Sequence, residues 1–396
     1  MHIHEVFYMK KALRVTSLVA VLVLIMSLSL TLAADTGKYP TTPKKNNGKK
    51  WRLGYLEGGR YINYPINLRE LAAGFMELGW MEKGDIPEPD ETHDAKKIWT
   101  WLARNGKSNY IQFVEDAFWS SNFDKSLRVK AKTDVLTRLS GKGDIDFMIA
   151  MGTWAGQDLA NNQHSVPTMV MSTSDPIQSK IIKSAEDSGF DHVHAKVDPT
   201  RYIRQLRLFH EIIGFKKMGI AYENSVDGRT YSAIADVEKV AKETGFEVIK
   251  CEAPFSGVER NVATAGMVKC YAELSPKVDA IYVTVHRGVY PEVMPEILAP
   301  LFKHKISSFS QRGPVEVKHG VLLSIARADF SEVGRWHAAV AAKIFNGAKA
   351  RGLNQIFEDP KKIALNIETA LLIGYDPPVD VLGAADEIYE EIAKAN

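Results

Sequence analysis

The chain of 396 residues carries 50 Lys and Arg against 48 Asp and Glu, a formal net charge of +2, with 25% charged and 45% hydrophobic residues. So even a balance gives no electrostatic reason to expect nucleic acid or a membrane surface as partner.

The first residues read as a targeting signal. Lys10, Lys11 and Arg14 precede an apolar run from Leu18 to Leu32, and Thr31-Leu-Ala33-Ala34 offers a small-residue cleavage site. This predicts a signal peptide over 1–33, cut after Ala33, and export to the periplasm. A transmembrane anchor is the competing reading, but the run is shorter than the ~20 residues a span needs. Met9-Lys-Lys is the more usual opening, so Met9 is a candidate start, and no cysteine stands at the cut to take a lipid. Residues 34–50 form a polar leader whose Lys44, Lys45, Lys49 and Lys50 read as a solvated face rather than a binding arm. The chain beyond Lys50 exceeds the ~250–300 residues at which one core stops growing, so two lobes are expected.

Arg52 to Leu56 is the first predicted strand, followed by the loop Glu57-Gly-Gly-Arg-Tyr61-Ile-Asn-Tyr64-Pro. Its glycines permit close backbone approach, and Tyr61 and Tyr64 either wall a ligand or cover the rim. Leu68, Leu71, Ala72, Phe75, Met76 and Gly79 recur at three and four, the stripe of a helix packed on a sheet. Residues 81–108, proline-broken and then helical with Trp99 and Trp101, read as a surface insertion. A strand over Asn109 to Val114 and a helix over Asp124 to Leu139 follow.

Phe147 to Met151 is a continuous apolar strand, and Gly152-Thr153 turns it into a helix from Trp154 to Asn162. The first N–H groups of such a helix lack partners and suit an anionic group, which makes Thr153 a candidate contact and Trp154 a candidate wall. Val166 to Met171 is the next strand, stopped by Asp175-Pro176. The first lobe thus reads βαβαβαβ, a parallel sheet whose carboxyl edge is where ligands sit. Asp175 or Glu57 would meet a cationic group; for Asp175, capping the helix after Pro176 is the alternative.

His192 and His194 share one strand face, the spacing of some zinc sites, but no third ligand is tied to them by spacing, so no metal or other cofactor is expected. From Tyr202 the plan repeats, with predicted strands at 217–222, 246–251, 280–285 and 306–309. Three of them end in polar residues, offering Glu223, Asn224, His286, Ser310 and Gln311 as the other half of a cleft. Cys251 ends a strand and Cys270 lies well along the next helix, so two small buried side chains are expected in preference to a disulfide. Val321 to Ala326 is a strand, Phe330 to Phe345 an apolar-striped helix returning to the first lobe, and Lys362 to Ile367 a strand before helices from Glu368 and Ala384. The expected architecture is α/β: two doubly wound parallel-sheet lobes, 51–190 with 314–355 and 191–313 with 356–396, joined by three hinge crossings.

The sequence resembles the substrate-binding proteins of ABC transporters in the family that includes tryptophan- and tyrosine-binding members. The stretches that carry the likeness are Gly-Thr-Trp-Ala-Gly at 152–156, Ser-Asp-Pro at 174–176, Lys-Met-Gly-Ile-Ala-Tyr at 217–222, Val-Asp-Ala-Ile-Tyr-Val at 278–283, Gly334 in its helix and Ile-Ala-Leu-Asn-Ile-Glu-Thr-Ala at 363–370. The resemblance implies the type I periplasmic-binding-protein fold. It also implies ligand contacts near Thr153, Asp175, the loop after Tyr222, the end of strand 280–285 and Ser310. Trp154 and Gly156 depart from the family's Thr-Pro-Ala-Ala-like turn, and Glu223-Asn-Ser-Val-Asp-Gly-Arg-Thr230 departs from its Asn-Pro-Ser-Glu-x-Asn-Ser loop.

No phosphate loop, His-Glu-x-x-His, Gly-x-Ser-x-Gly or nucleophilic cysteine context is present, so catalysis is not expected. The reading is a monomeric receptor that captures an amino acid or related small molecule and hands it to an ABC permease in the inner membrane. A ligand-sensing subunit for a membrane receptor is the alternative, and a hydrolase the third reading.

Overall fold

Two sheets organise the residues that the structure describes, 39–326, 330–359 and 362–395 of a computed structural model. The expected signal peptide lies outside the described residues. In the first part, Trp51–Glu57 (β1), Asn63–Glu77 (α1), Ala95–Asn105 (α2), Ile111–Ser120 (β2), Lys125–Gly141 (α3), Phe147–Met151 (β3), Thr153–Leu159 (α4), Thr168–Met171 (β4) and Val193–Ala195 (β5) follow one another. The strands pair in parallel in the order β2-β1-β3-β4-β5. Helices cover both faces, so a central strand such as β3 is wholly buried and apolar throughout. Val135 and Leu139 of α3 cluster with Met148 and Ala150 on one face.

The second part runs Arg201–Ile213 (α5), Lys217–Tyr222 (β6), Val226–Tyr231 (α6), Ile234–Thr244 (α7), Glu247–Glu252 (β7), Arg260–Leu274 (α8), Ala280–Val283 (β8), Met294–His304 (α9), Ser307–Ser310 (β9), Pro314–Lys318 (α10) and Leu323–Ala326 (β10). Then come Ser331–Phe345 (α11), Lys362–Asn366 (β11), Ile367–Ile373 (α12), Val379–Ala384 (α13) and Glu387–Tyr389 (β12). The second sheet has the order β12-β11-β10-β9-β8-β6-β7, parallel except for the antiparallel pair β10 and β11. Its two faces carry separate cores, one under α5 and α7 and one under α8 and α9.

Although α11 follows the second sheet, it packs on the first. The Phe345 ring lies 4.8 Å from Trp51 and 5.1 Å from Phe147. Gly334 rests on the backbone of Glu70 in α1, and Gly74 of α1 rests on Ala338, so each helix presents a glycine where the other comes closest. The chain therefore passes between the sheets after β5, after β10 and after α11. The first and last of these passages lie side by side: Val197 N–H donates to Gln355 O at 2.8 Å and Phe357 N–H to Val197 O at 3.0 Å. A buried ion pair, Lys196 Nζ to Asp359 Oδ2 at 2.9 Å, ties them together.

Several expectations are corrected. Val193–Ala195 belongs to the first sheet, so that lobe does not end at 190; the His194 ring lies 5.3 Å from Trp336 of α11, and its Nε2 donates to the Asn354 carbonyl at 2.9 Å. The return to the first lobe begins at α11 rather than at 314, because β10 pairs with β9. Residues 81–108 are not a surface insertion throughout: Trp99 is fully buried, with its indole N–H on Val114 O at 3.0 Å. The leader is anchored too, since the indole N–H groups of Trp51 and Trp80 donate to Lys44 O and Thr41 O, although its lysines stay exposed. The expected last helix is a strand, β12.

Cys251 and Cys270 form a disulfide, with Cα atoms 5.6 Å apart. The expectation of two separate thiols failed because α8 starts well beyond the sheet's edge. Gly266 lies against Pro254, past the end of β7, so the next turn of the helix comes level with Cys251.

Candidate ligand site between the two lobes

Every strand of a parallel sheet ends at one edge, and here the edges of the two sheets meet. The turn after β2 touches the turn after β7, with the rings of Phe123 and Phe255 6.0 Å apart. Gly152, at φ +86°, ends β3 with the Tyr64 hydroxyl so close that an added Cβ would fall 1.8 Å from it. Only glycine lets Tyr64 cover the start of α4. Thr153 and Trp154 are buried there.

Trp154 reaches across the lobes. Its indole N–H donates to Asp227 Oδ2 at 3.0 Å, and the Gln157 amide donates to Asp227 Oδ1 at 3.0 Å. Arg128 supports both, with its guanidinium 4.5 Å from the Trp154 ring and donating to Gln157 Oε1 at 2.9 Å. The Tyr231 hydroxyl of the second lobe faces Thr153; burial, with Asp227 adding to it, raises its pKa well above the ordinary tyrosine value, so it stays protonated.

Beside this contact a cavity of about 330 Å³ opens between the lobes. The first lobe lines it with Arg60 and Tyr61 after β1, His93 ahead of α2 and Phe123 after β2; the second supplies Arg260 at the head of α8, His286, Arg287 and Tyr290 after β8, and Arg312 after β9. Gly58 and Gly59 do allow close backbone approach, but to the chain itself: Phe123 N–H bonds Gly58 O at 2.6 Å, and a Cβ on Gly59 would meet that nitrogen.

The charges are lopsided. Arg60 pairs with Asp94 at 2.8 Å and Arg312 with Glu316 at 3.2 Å. Arg260 lies 3.6 Å over the Tyr290 ring, and Arg287 donates to Val258 O at 3.0 Å. Burial brings the His286 pKa down to about 4, and burial with Arg260 and Arg312 lowers that of His93, so both imidazoles are neutral. Glu57 sits below, accepting hydrogen bonds from Tyr55 and Ser120 at 2.9 Å each, its carboxyl pushed up to about 8 by burial. At neutral pH it is largely protonated and makes a poor counter-charge for a cation.

Of the predicted residues, the structure brings Tyr61 and His286 to the cavity and gathers Tyr64, Thr153 and Trp154 in the adjoining contact. The others hold the protein together. Asp175 caps a turn, accepting from Ile177 N–H and Gln178 N–H at 2.8 and 2.9 Å. Glu223 fastens the 253–256 turn through Ser256 N–H at 2.9 Å, and exposed Asn224 bonds Glu252. Ser310 is bonded to Glu316 and Gln311 to Val285 N–H and Tyr231 O, both fully buried.

Sequence reasoning missed Arg60, Arg260, Arg287, Arg312, Phe123 and Tyr290. The signal was available for two of them: Arg287 and Arg312 directly follow the predicted contacts His286 and Gln311 at the ends of their strands. Among the described residues no group of three or more His, Cys, Asp or Glu is arranged to hold a metal ion.

Solved structures share this architecture. A conserved domain protein from Vibrio cholerae O1 biovar eltor superposes with a TM-score of 0.65 at 16% identity, over 86% of this chain and 100% of that one. The ABC domain in complex with L-Trp from Streptococcus pneumonia superposes with a TM-score of 0.64 at 19% identity, over 86% and 99%. In sequence, a Tyrosine-binding protein of Clostridioides difficile (strain R20291) is 22% identical over 227 residues, 57% of this chain. The match spans 61% of the length of that curated relative. The sequence profile of ABC transporter substrate binding proteins matches residues 121–388, and the chain belongs to that family.

Proposed function

We propose that the protein is the exported, solute-capturing component of an ABC importer, binding a small organic molecule between its lobes and passing it to a permease in the inner membrane. The observation that carries this reading is the cavity of about 330 Å³ where the carboxyl edges of both sheets meet. That volume is at the lower end of the ~300–1,000 Å³ typical of ligand pockets. Lobe 1 would comprise 51–195 with α11, and lobe 2 the rest of the chain from α5 onward. The three passages between them act as the hinge, and the protein works as a monomer and without catalysis. The relatives named for tyrosine or crystallised with L-Trp support an amino-acid-sized ligand.

Micromolar capture needs about −8 kcal/mol, within reach of a few charge-assisted hydrogen bonds of ~1.5–3 kcal/mol and ring contacts of ~0.5–1.5 kcal/mol each. The test is a melting screen of the purified protein against small solutes. A ligand in excess raises the melting temperature through RT ln(1 + [L]/Kd). A broad panel with no shift, together with turnover of any member, would overturn the receptor reading in favour of an enzyme.

A further inference from the structure

We infer that the ligand is a small organic anion with a flat or apolar body, held by Arg260, Arg287 and His286; this rests on the capture reading above. Among the charged residues lining the cavity, four arginines face one carboxylate, that of Glu91. Arg60 and Arg312 have carboxylate partners, but Arg260 and Arg287 form no ion pair among the described residues. Glu259, whose charge acts on Arg287, and Glu292, whose charge acts on His93, are both exposed to solvent, where water screens them. Two guanidiniums with unpaired charge in a partly enclosed space are a forked donor set matched to carboxylate or phosphonate oxygens.

His286 adds an independent observation. It is 2% exposed and its Nδ1 accepts the Gly288 N–H at 3.1 Å, so in the neutral ring the proton sits on Nε2. That buried N–H makes no hydrogen bond of full geometry, only a weaker interaction with the Ala253 carbonyl. A buried donor so poorly paired is unfavourable, and an anion's oxygen would satisfy it. Tyr61, Phe123 and Tyr290 supply the apolar walls. A zwitterionic amino acid fits less well: Glu91 is exposed to solvent, the Glu57 carboxyl at the end of β1 is largely protonated, and Asp175 is already engaged in its cap.

Calorimetric titration with three probes that share a phenol ring separates the possibilities: 4-hydroxyphenylacetate, L-tyrosine and tyramine, with succinate and inorganic phosphate as ringless anions. The expected result is that 4-hydroxyphenylacetate binds at least tenfold more tightly than tyramine, with affinity falling as salt rises. Arg260→Gln and Arg287→Gln should each weaken it about tenfold or more, while Arg287→Lys retains part of the affinity and all three variants melt within a few degrees of the parent. If tyramine or tyrosine binds best and the two Arg→Gln variants still alter that binding, the cavity stands and the anion assignment falls. If a probe's affinity ignores both arginines but drops in Thr153→Val, the site is elsewhere and the inference is overturned. If neither these probes nor the wider melting panel gives a response, the capture reading itself fails.

Discussion

The indole N–H of Trp154 and the carboxylate of Asp227 meet at 3.0 Å, joining the helix after β3 of one lobe to the helix after β6 of the other. The Gln157 amide occupies the second oxygen of Asp227 at 3.0 Å. These bonds hold the lobes together through the protein's own groups, so closure draws part of its free energy from contacts that do not touch the cavity's arginines.

Asp227→Ala should therefore loosen the closed arrangement. A hydrogen bond to a charged group contributes about 1.5–3 kcal/mol, and partial exposure of Asp227 puts its two bonds toward the low end of that range each. We predict a larger radius of gyration in small-angle scattering without ligand, and a ligand off-rate raised by up to about a hundredfold. Identical scattering curves for variant and parent would show that the lobes are held by something else.

The βα alternation and the two-lobe plan were legible because buried parallel strands such as Phe147–Met151 are uninterrupted apolar runs with glycine or proline at their ends. Positions at the strand tips were harder to assign. There, one residue's difference turns a side chain from the cavity to the interior, as with Gln311 and Arg312, and both are polar. The disulfide depended on how far α8 overshoots β7, a tertiary quantity with no local signature. Trp99 was misplaced because its partner, the Val114 carbonyl, comes from a bulged strand that continues to Ser120.

Gly334→Ala should destabilise the first lobe. A Cβ at this position would lie 2.5 Å from the carbonyl carbon and oxygen of Glu70, backbone atoms that cannot rotate away. Forcing α11 off α1 falls in the range of about 1–3 kcal/mol for overpacking. The urea midpoint should drop with an unchanged slope; a midpoint equal to the parent's would mean that the two helices separate freely.

Opening the Cys251–Cys270 disulfide should lower stability without altering the cavity. The cross-link spans 19 residues of sequence, for which loop closure in the unfolded chain amounts to about 3 kcal/mol. Cys251→Ser with Cys270→Ser should melt several degrees lower, and added reductant should leave that variant unchanged while bringing the parent down to it. Ligand affinity in both should match, since Cys270 lies near the end of α8 opposite to Arg260, the residue this helix brings to the cavity. A reductant that left the parent's melting temperature untouched would show the bond makes no contribution.

The pH dependence of stability should have two branches of opposite sign. Burial lowers His164, His194 and His286 to about 4, so between their ordinary value of 6.5 and 4 the unfolded chain binds more protons than the folded one; stability present above 6.5 is lost as pH falls. Glu57 acts in reverse. Its carboxyl is raised from 4.5 to about 8, chiefly by burial and against the hydrogen bonds from Ser120 and Tyr55, so its stabilisation is full below 4.5 and is lost as pH rises to about 8. Each group tilts the curve by at most about 1.4 kcal/mol per pH unit. Three histidines outweigh one glutamate below 6.5, so stability should climb with pH to about 6.5, then decline toward 8. Glu57→Gln, which keeps an acceptor for the Tyr55 hydroxyl but cannot ionise, should abolish the decline and leave the acid branch in place. Denaturant midpoints across this pH range would decide it, and a variant that declines as steeply as the parent above pH 6.5 would assign the upper branch to another group.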